Sequence, residues 1–395
     1  MSTRAAKIAH LEFIPASIPY THCEISSQVH RDGVTDVIVK ATTDGGCVGW
    51  GESCSGADVE SVVAALQAMA PFVLGRSPWE SEAIRAELWH RGIWQFRKGT
   101  ASFAYAGIDM ALWDICGKTV GEPLYNLFGG KVRESVNYFF YLSRAPHADL
   151  VAQCREGLSK GYHVFYLKVG IDIQAEMEMV ATVRETIGEK CKLRLDANAA
   201  WRVNEALRNL ARLDAYNIDF IEQPVSQDPL ANMKEMRSRC PVAVCANEGL
   251  WTAEDAYRQI TSRTADIYCF SPYWVGSLGQ FKFLCQVAHA EGMQVCKHTH
   301  GEFEIAAAAA HHILLTIPSA VDGNQQTTHI MPDGILKQPV PIASGPEWEA
   351  PQGPGLGVEV DEEKVKQYHA QYKAYGQFLP YDRALLPRSR YGQTP

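Results

Sequence analysis

Several marks of protein classes are missing from this sequence. None of its 11 cysteines lies in a CxxC pair. Such scatter argues against a zinc ribbon or a disulfide framework, and for reduced, mostly buried thiols in a cytoplasmic protein. The net charge of -8, with no run of Lys and Arg to offset it, argues against a nucleic-acid-binding surface. The first residues, MSTRAAKIAHLEF, contain no long apolar segment, so neither a signal peptide nor a membrane span is expected. There is no low-complexity tract. What is present is ordinary for a chain with a sizeable core: 395 residues, 46% apolar and 21% charged, enough for one large or two ordinary domains.

The rhythm of the chain changes once. Residues 6 to 53 read as antiparallel strands: Thr35 to Thr42 is rich in β-branched residues, and Thr43–Cys47 is a turn signal. A polar segment, Thr21 to Val34, lies between the first strands and holds His22, Glu24, His30, Arg31 and Asp32. Helical spacing follows, notably in AYAGIDMALWDICGK. From Val136 to about residue 325, apolar runs of five to seven residues alternate with longer amphipathic stretches. That alternation predicts right-handed βαβ units and a parallel sheet buried on both faces. The expected division is 1–130 as an N-terminal α+β portion, 131–325 as the β/α portion, and 326–395 as an ordered tail returning to the first.

Chemistry-bearing residues stand where the strand-like runs end. They are Lys168 in FYLKVG, Asp196 in KLRLDANAAW, Glu222 in FIEQP, Glu248 in VCANEG, Ser271 in IYCFSP, His298 in QVCKHTH and Asp322 in SAVDGN. Successive spacings are 28, 26, 26, 23, 27 and 24 residues, about the length of one strand, one helix and two loops. Carboxyl ends of strands are where a β/α barrel keeps its active site. Asp196, Glu222 and Glu248 would be neighbours on one rim and would repel unless neutralised. Mg²⁺ suits such an all-oxygen set, with water or substrate completing the shell. Asn247 is the alternative to Glu248, and Asn198 follows Asp196 closely enough to share the site. Lys168 and His298 flank the acids as candidate bases. His300 competes with His298 within KHTH, whereas His311 and His312 read as helix packing residues. Arg97 and Lys98 could reach a substrate carboxylate, but a solvated surface accounts for them more simply.

With these motifs the chain resembles the enolase superfamily, in its mandelate racemase/muconate lactonizing enzyme group. The resemblance rests on GWGES (Gly49–Ser53), IDMALWDICGK, LYNLFGG, LKVG, LDAN, IEQP, NEGLW and GPGLGVEVDEEKV. It implies a modified (β/α)7β TIM-type barrel under an α+β capping domain formed from both termini, with Mg²⁺ at Asp196, Glu222 and Glu248. It also exposes departures. The group often carries KxK on the second barrel strand, where this chain has Tyr166 and Lys168. Lactonizing and epimerase members carry a Lys on the sixth strand and racemase-like members an Asp, where this chain has Ser271. Asp322 falls near an acid that, in racemase-like members, holds the substrate carboxylate.

Together these features predict abstraction of the α-proton of a small carboxylate substrate through an enediolate. The favoured reading is a dehydratase of an acid sugar or similar hydroxy acid, with the polar segment over the barrel mouth beside Cys54 and Ser55. A racemase or epimerase using Lys168 and His298 on opposite faces is the alternative. A catalytically silent metal-binding protein is the remote one. A homo-oligomer is expected, with no nucleic acid or membrane partner.

Overall fold

The computed structural model describes residues 6–54, 58–92, 96 and 99–381. The capping sheet is antiparallel: β1 (Ile8–Ile25), β2 (His30–Thr43) and β3 (Val48–Cys54), in that order. Helix Thr100–Val120 lies across it at very short range. A Cβ at Gly51 would come within 1.9 Å of the Gly107 carbonyl oxygen, so glycine is what lets sheet and helix touch.

The second region alternates strand and helix. After β4 (Ser135–Asn137) come β5 (Phe140–Leu142), β6 (Val164–Lys168), β7 (Lys192–Asp196), β8 (Ile218–Glu222), β9 (Val244–Ala246), β10 (Ile267–Phe270) and β11 (Gln294–Lys297). From β5 to β11 each strand is parallel to the next, and each is followed by a helix, the last being Glu304–Leu314. Residues 319–325 supply the eighth position. Val321 N–H donates to Val295 O and Gln325 N–H to Lys297 O on one side, while Asn324 N–H donates to Asn137 O on the other. The sheet therefore closes as a (β/α)7β barrel. Its interior holds Phe220, Cys245, Ile267, Cys269, Cys296 and Val321.

The chain then doubles back. β12 (Glu347–Glu349) pairs antiparallel with β4, and helix Glu362–Tyr375 lies on β1, where His369 Nδ1 is 2.7 Å from Pro15 O. Two buried carboxylates tie the regions together. Glu52 of β3 accepts from Phe303 N–H and Ala306 N–H at the start of helix Glu304–Leu314, satisfying donors that a helix leaves orphaned. Asp114 accepts from Trp50 N–H, Leu356 N–H and the Lys118 ammonium. Among the described residues no single helix is long and apolar enough to cross a membrane.

Candidate active site

Parallel register sets the site. Lys168 is the register partner of Asp196, and Asp196 of Glu222, so three strand ends bring three charged side chains abreast. Asp196 Oδ2 accepts from Tyr166 Oη–H at 2.5 Å and from Lys168 Nζ at 2.6 Å, and its Oδ1 accepts from Asn198 N–H at 2.7 Å. Glu222 Oε2 accepts from Gln325 Nε2 at 2.6 Å, and Glu248 Oε1 from Asn198 Nδ2 at 3.0 Å. The amide of Asn247 is engaged elsewhere, donating to Cys269 O, so of the two neighbours it is Glu248 that keeps a spare carboxylate oxygen. The backbone after these strands is strained: Asn198, Ala199 and Gln223 have φ of 44°, 59° and 35°, a left-handed region that such residues enter at a cost.

The acids crowd one another. Burial, reinforced by the charge of Asp196, holds the Glu222 carboxyl well above its usual range and pushes Glu248 up to about 7. Burial alone would lower Lys168, but Asp196, Glu24 and Glu222 outweigh it and raise the ammonium above its ordinary value. Glu222 Oε1, Glu248 Oε2 and Asn198 Oδ1 are buried with no hydrogen-bond partner. Orphaned carboxylate oxygens on one rim fit a hard divalent cation, and the donor set is all oxygen.

On the opposite wall, His298 follows β11. Burial, then His300 and Lys168, push its imidazole well below the usual range, which leaves it neutral. Its Nδ1 lies 3.1 Å from the Tyr273 hydroxyl, and its ring centroid lies 4.1 Å from that of Trp274, the planes tilted by 30°. Tyr273 thus supplies the orienting group that no acid provides at Ser271, which is itself fully buried at the start of the turn Pro272–Val275. His300 also faces the cavity, held neutral by burial at about 3.

Between these walls lies a cavity of about 420 Å³ lined by Lys168, Asn198, Glu248 and His298 from the barrel and by Glu24, Gln28, Val29 and Arg31 from the cap. Phe103, Trp251 and Trp274 add apolar wall. The β1–β2 hairpin carries the cap residues. Its tip is fastened to the barrel: Ser27 Oγ donates to Ala197 O at 3.0 Å and Gln28 Nε2 to Asn198 O at 2.6 Å. Behind it, Arg31 and Glu24 form a buried ion pair at 2.5 Å.

Some expectations need correction. Asp322 is not in the cavity. It sits at the amino ends of the strands, bonded to His163 just before β6 and Lys192 at the start of β7. The eighth position instead contributes Gln325, whose side chain reaches Glu222. Asp322 lies three residues before Gln325 and at the opposite end of the barrel from the site. Cys54 is buried beside Glu52 rather than over the barrel mouth, and Ser55, Arg97 and Lys98 lie outside the described residues. Tyr273 and Trp274, in the one-turn helix Pro272–Val275, and Trp251, in the loop after β9, lie on pieces too short to carry a periodic signal. The cysteines, scattered in sequence, partly converge: Cys245, Cys269 and Cys296 meet inside the barrel below Glu222, and all 11 are unpaired. His311 and His312 are buried packing residues.

The family described as enolase C-terminal domain-like matches residues 149–364, and the mandelate racemase/muconate lactonizing enzyme N-terminal domain matches residues 22–129. The chain belongs to the enolase superfamily. Within this mandelate racemase/muconate lactonizing enzyme group its relatives are isomerases, and the chain is an enzyme of the superfamily. It is 28% identical to the D-galactarolactone cycloisomerase of Agrobacterium fabrum, over 87% of this chain and 93% of that one. It is 27% identical to the N-succinyl-L-Arg/Lys racemase of Bacillus cereus, over 91% and 97%. The substrate-liganded L-Ala-D/L-Glu epimerase of Bacillus subtilis superposes with a TM-score of 0.83 at 26% identity, covering 90% of this chain and 99% of that one.

Proposed function

We propose that this superfamily enzyme removes and returns the α-proton of a small carboxylate, inverting the carbon by 1,1-proton transfer. The observation that carries the reading is the placement of Lys168 and His298 on opposing walls of one cavity. They lie five strands apart through β7 to β10, and the acidic rim stands between them. Asp196, Glu222 and Glu248 would hold Mg²⁺, the ion superfamily members use. When bound, it supplies positive charge that acidifies the α-proton and steadies the carboxylate oxygens. His298, neutral and steered by Tyr273, is ready to accept a proton. Lys168, charged against Asp196, is ready to give one from the other face. Reversal of the two roles serves the opposite enantiomer. General acid–base groups so placed contribute roughly 10²–10⁴-fold each.

Dehydration of a hydroxy acid uses the same first step, and His298, made cationic by the α-proton it takes, would deliver that proton to the departing hydroxyl. An open-chain acid sugar, however, would set several hydroxyls against Val29, Phe103, Trp251 and Trp274, where they find few partners. The walls suit a carboxylate with an apolar portion better.

The test is a panel of N-acyl amino acids, dipeptides and hydroxy acids incubated with Mg²⁺ in D₂O and followed by proton NMR. Inversion with deuterium at the α-carbon is expected. Lys168→Ala and His298→Asn should each abolish inversion while keeping exchange from opposite enantiomers. Keto-acid product would replace this reading with dehydration, and exchange unaffected by both variants would refute the paired bases.

A further inference from the structure

The hairpin over the cavity has two faces, and only the inner one has been used. Along β2, His30 and Asp32 are exposed while Arg31 between them is buried. Along β1, Glu24 is buried and Cys23 is half exposed. Such alternation is what a strand pair with one wet face dictates. Glu24 pairs in register with Arg31, but the register slips between Pro19 and Glu24, so several residues of β1 stand opposite very few of β2. Bulges of this kind re-aim side chains. Here the irregularity sets Cys23 beside Asp32, while the thiol itself donates to the Glu24 carbonyl oxygen at 3.7 Å. Cys23 Sγ, a ring nitrogen of His30 and a carboxylate oxygen of Asp32 all lie within 4.8 Å of one another.

We propose that Cys23, His30 and Asp32 form a binding site for a zinc-class transition-metal ion on the outer face of the hairpin whose inner face presents Glu24 and Arg31 to the cavity. Ligand atoms around a tetrahedral zinc ion stand roughly 3.3–3.8 Å apart, so small side-chain rotations complete the set. One thiolate, one imidazole and one carboxylate is a soft-to-borderline donor set that favours Zn²⁺ or Co²⁺ over Mg²⁺. The all-oxygen rim inside the barrel has the opposite preference, so ion softness sorts the two centres. On binding, the Cys23 thiol releases its proton to solvent, the three side chains each donate one lone pair, and water takes the fourth position. The ion would staple the two strands at their irregular stretch. That staple would hold Ser27 and Gln28 on the carbonyls of Ala197 and Asn198.

The site stands independently of the proton-transfer reading, because its test reads the metal directly. The full chain, saturated with Mg²⁺, is titrated with Co²⁺ and with Zn²⁺. Expected are a thiolate-to-cobalt charge-transfer band saturating at one ion per chain, and slowed amide hydrogen exchange across residues 21–34 on adding Zn²⁺. Cys23→Ser, His30→Ala and Asp32→Asn sit at partly or fully exposed positions and should fold as the parent does, by circular dichroism. Cys23→Ser should lose the band. Each of the others should weaken Zn²⁺ by at least the roughly 10–100-fold that removal of an outer metal partner costs. A band that survives Cys23→Ser would place the ion on other thiols and overturn the proposal. Equal Zn²⁺ affinity across the parent and all three variants would do the same.

Discussion

At the scale of single residues, the site is an arrangement of charges that only partly cancel. Lys168 and Tyr166 both serve Asp196 Oδ2, so one strand face supplies a cation and a neutral donor to the same oxygen. Glu248 has no cation of its own. Because burial and Asp196 push its carboxyl up to about 7, it must shed a proton before it can ligate. Magnesium affinity should therefore level off above neutrality and fall below it by up to about tenfold per pH unit for the one proton that Glu248 must lose, since ligands bind deprotonated. Thermal-shift titrations with Mg²⁺ one unit either side of neutrality check this, and equal affinities would contradict it. Tyr273 bears on turnover differently. Tyr273→Phe removes from His298 a hydrogen bond worth about 0.5–1.5 kcal/mol, so kcat should drop about two- to tenfold with KM unchanged. A raised KM at constant kcat would show that Tyr273 binds substrate instead. The acids and bases of this site were readable in the sequence because each ends a strand of even spacing. Gln325 and Tyr273 were not: an amide and a phenol carry no charge to draw notice, and their importance comes from what they touch.

Helices and strands reveal where the chain is fastened. Helix Glu304–Leu314 carries His311 and His312, both buried and both bonded to the returning tail. His311 Nε2 lies 3.1 Å from Glu349 O, with its ring stacked on Trp348, and His312 Nε2 lies 3.0 Å from Leu356 O. Burial lowers these imidazoles from the ordinary 6.5 to about 3 and about 4. Both are neutral when folded and gain a proton more easily when unfolded. Their contribution is thus complete above 6.5 and is lost as the pH falls from there, toward 4 for His312 and toward 3 for His311. The loss should approach about 1.4 kcal/mol per pH unit for each histidine. Urea midpoints across that interval measure it, and His312→Gln should flatten the slope. A slope unchanged in the variant would assign the acid sensitivity to the carboxylates. The periodic helices and strands were legible because amphipathic spacing is local. The tail's partners were not, since Leu356 finds Asp114, and Glu349 finds His311, only once the barrel has closed.

Across the whole molecule, cap and barrel share buried connections rather than a simple seam. Glu52 caps a barrel helix, Asp114 holds β3 and the tail together, and residues beyond the barrel return to β1 and β2. The two regions should therefore unfold as one. Far-ultraviolet circular dichroism and tryptophan fluorescence are expected to give coincident transitions, and two separated midpoints would show independent units. The barrel was foreseeable from its period of about 26 residues, whereas which cap residues meet which strand ends depends on loop paths that no period encodes. That division has a consequence for how such a molecule can change through time. Lys168, His298 and the acidic rim sit on the barrel, and part of the wall of their cavity hangs from one hairpin. Exchanging the side chain at Val29 would alter what is admitted without touching Lys168, His298 or the acidic rim, whereas Gln28 also fastens the tip to Asn198 O. Appetite and chemistry are thus inherited on separate pieces of the chain, so one lineage can acquire a new diet without having to reinvent its catalyst.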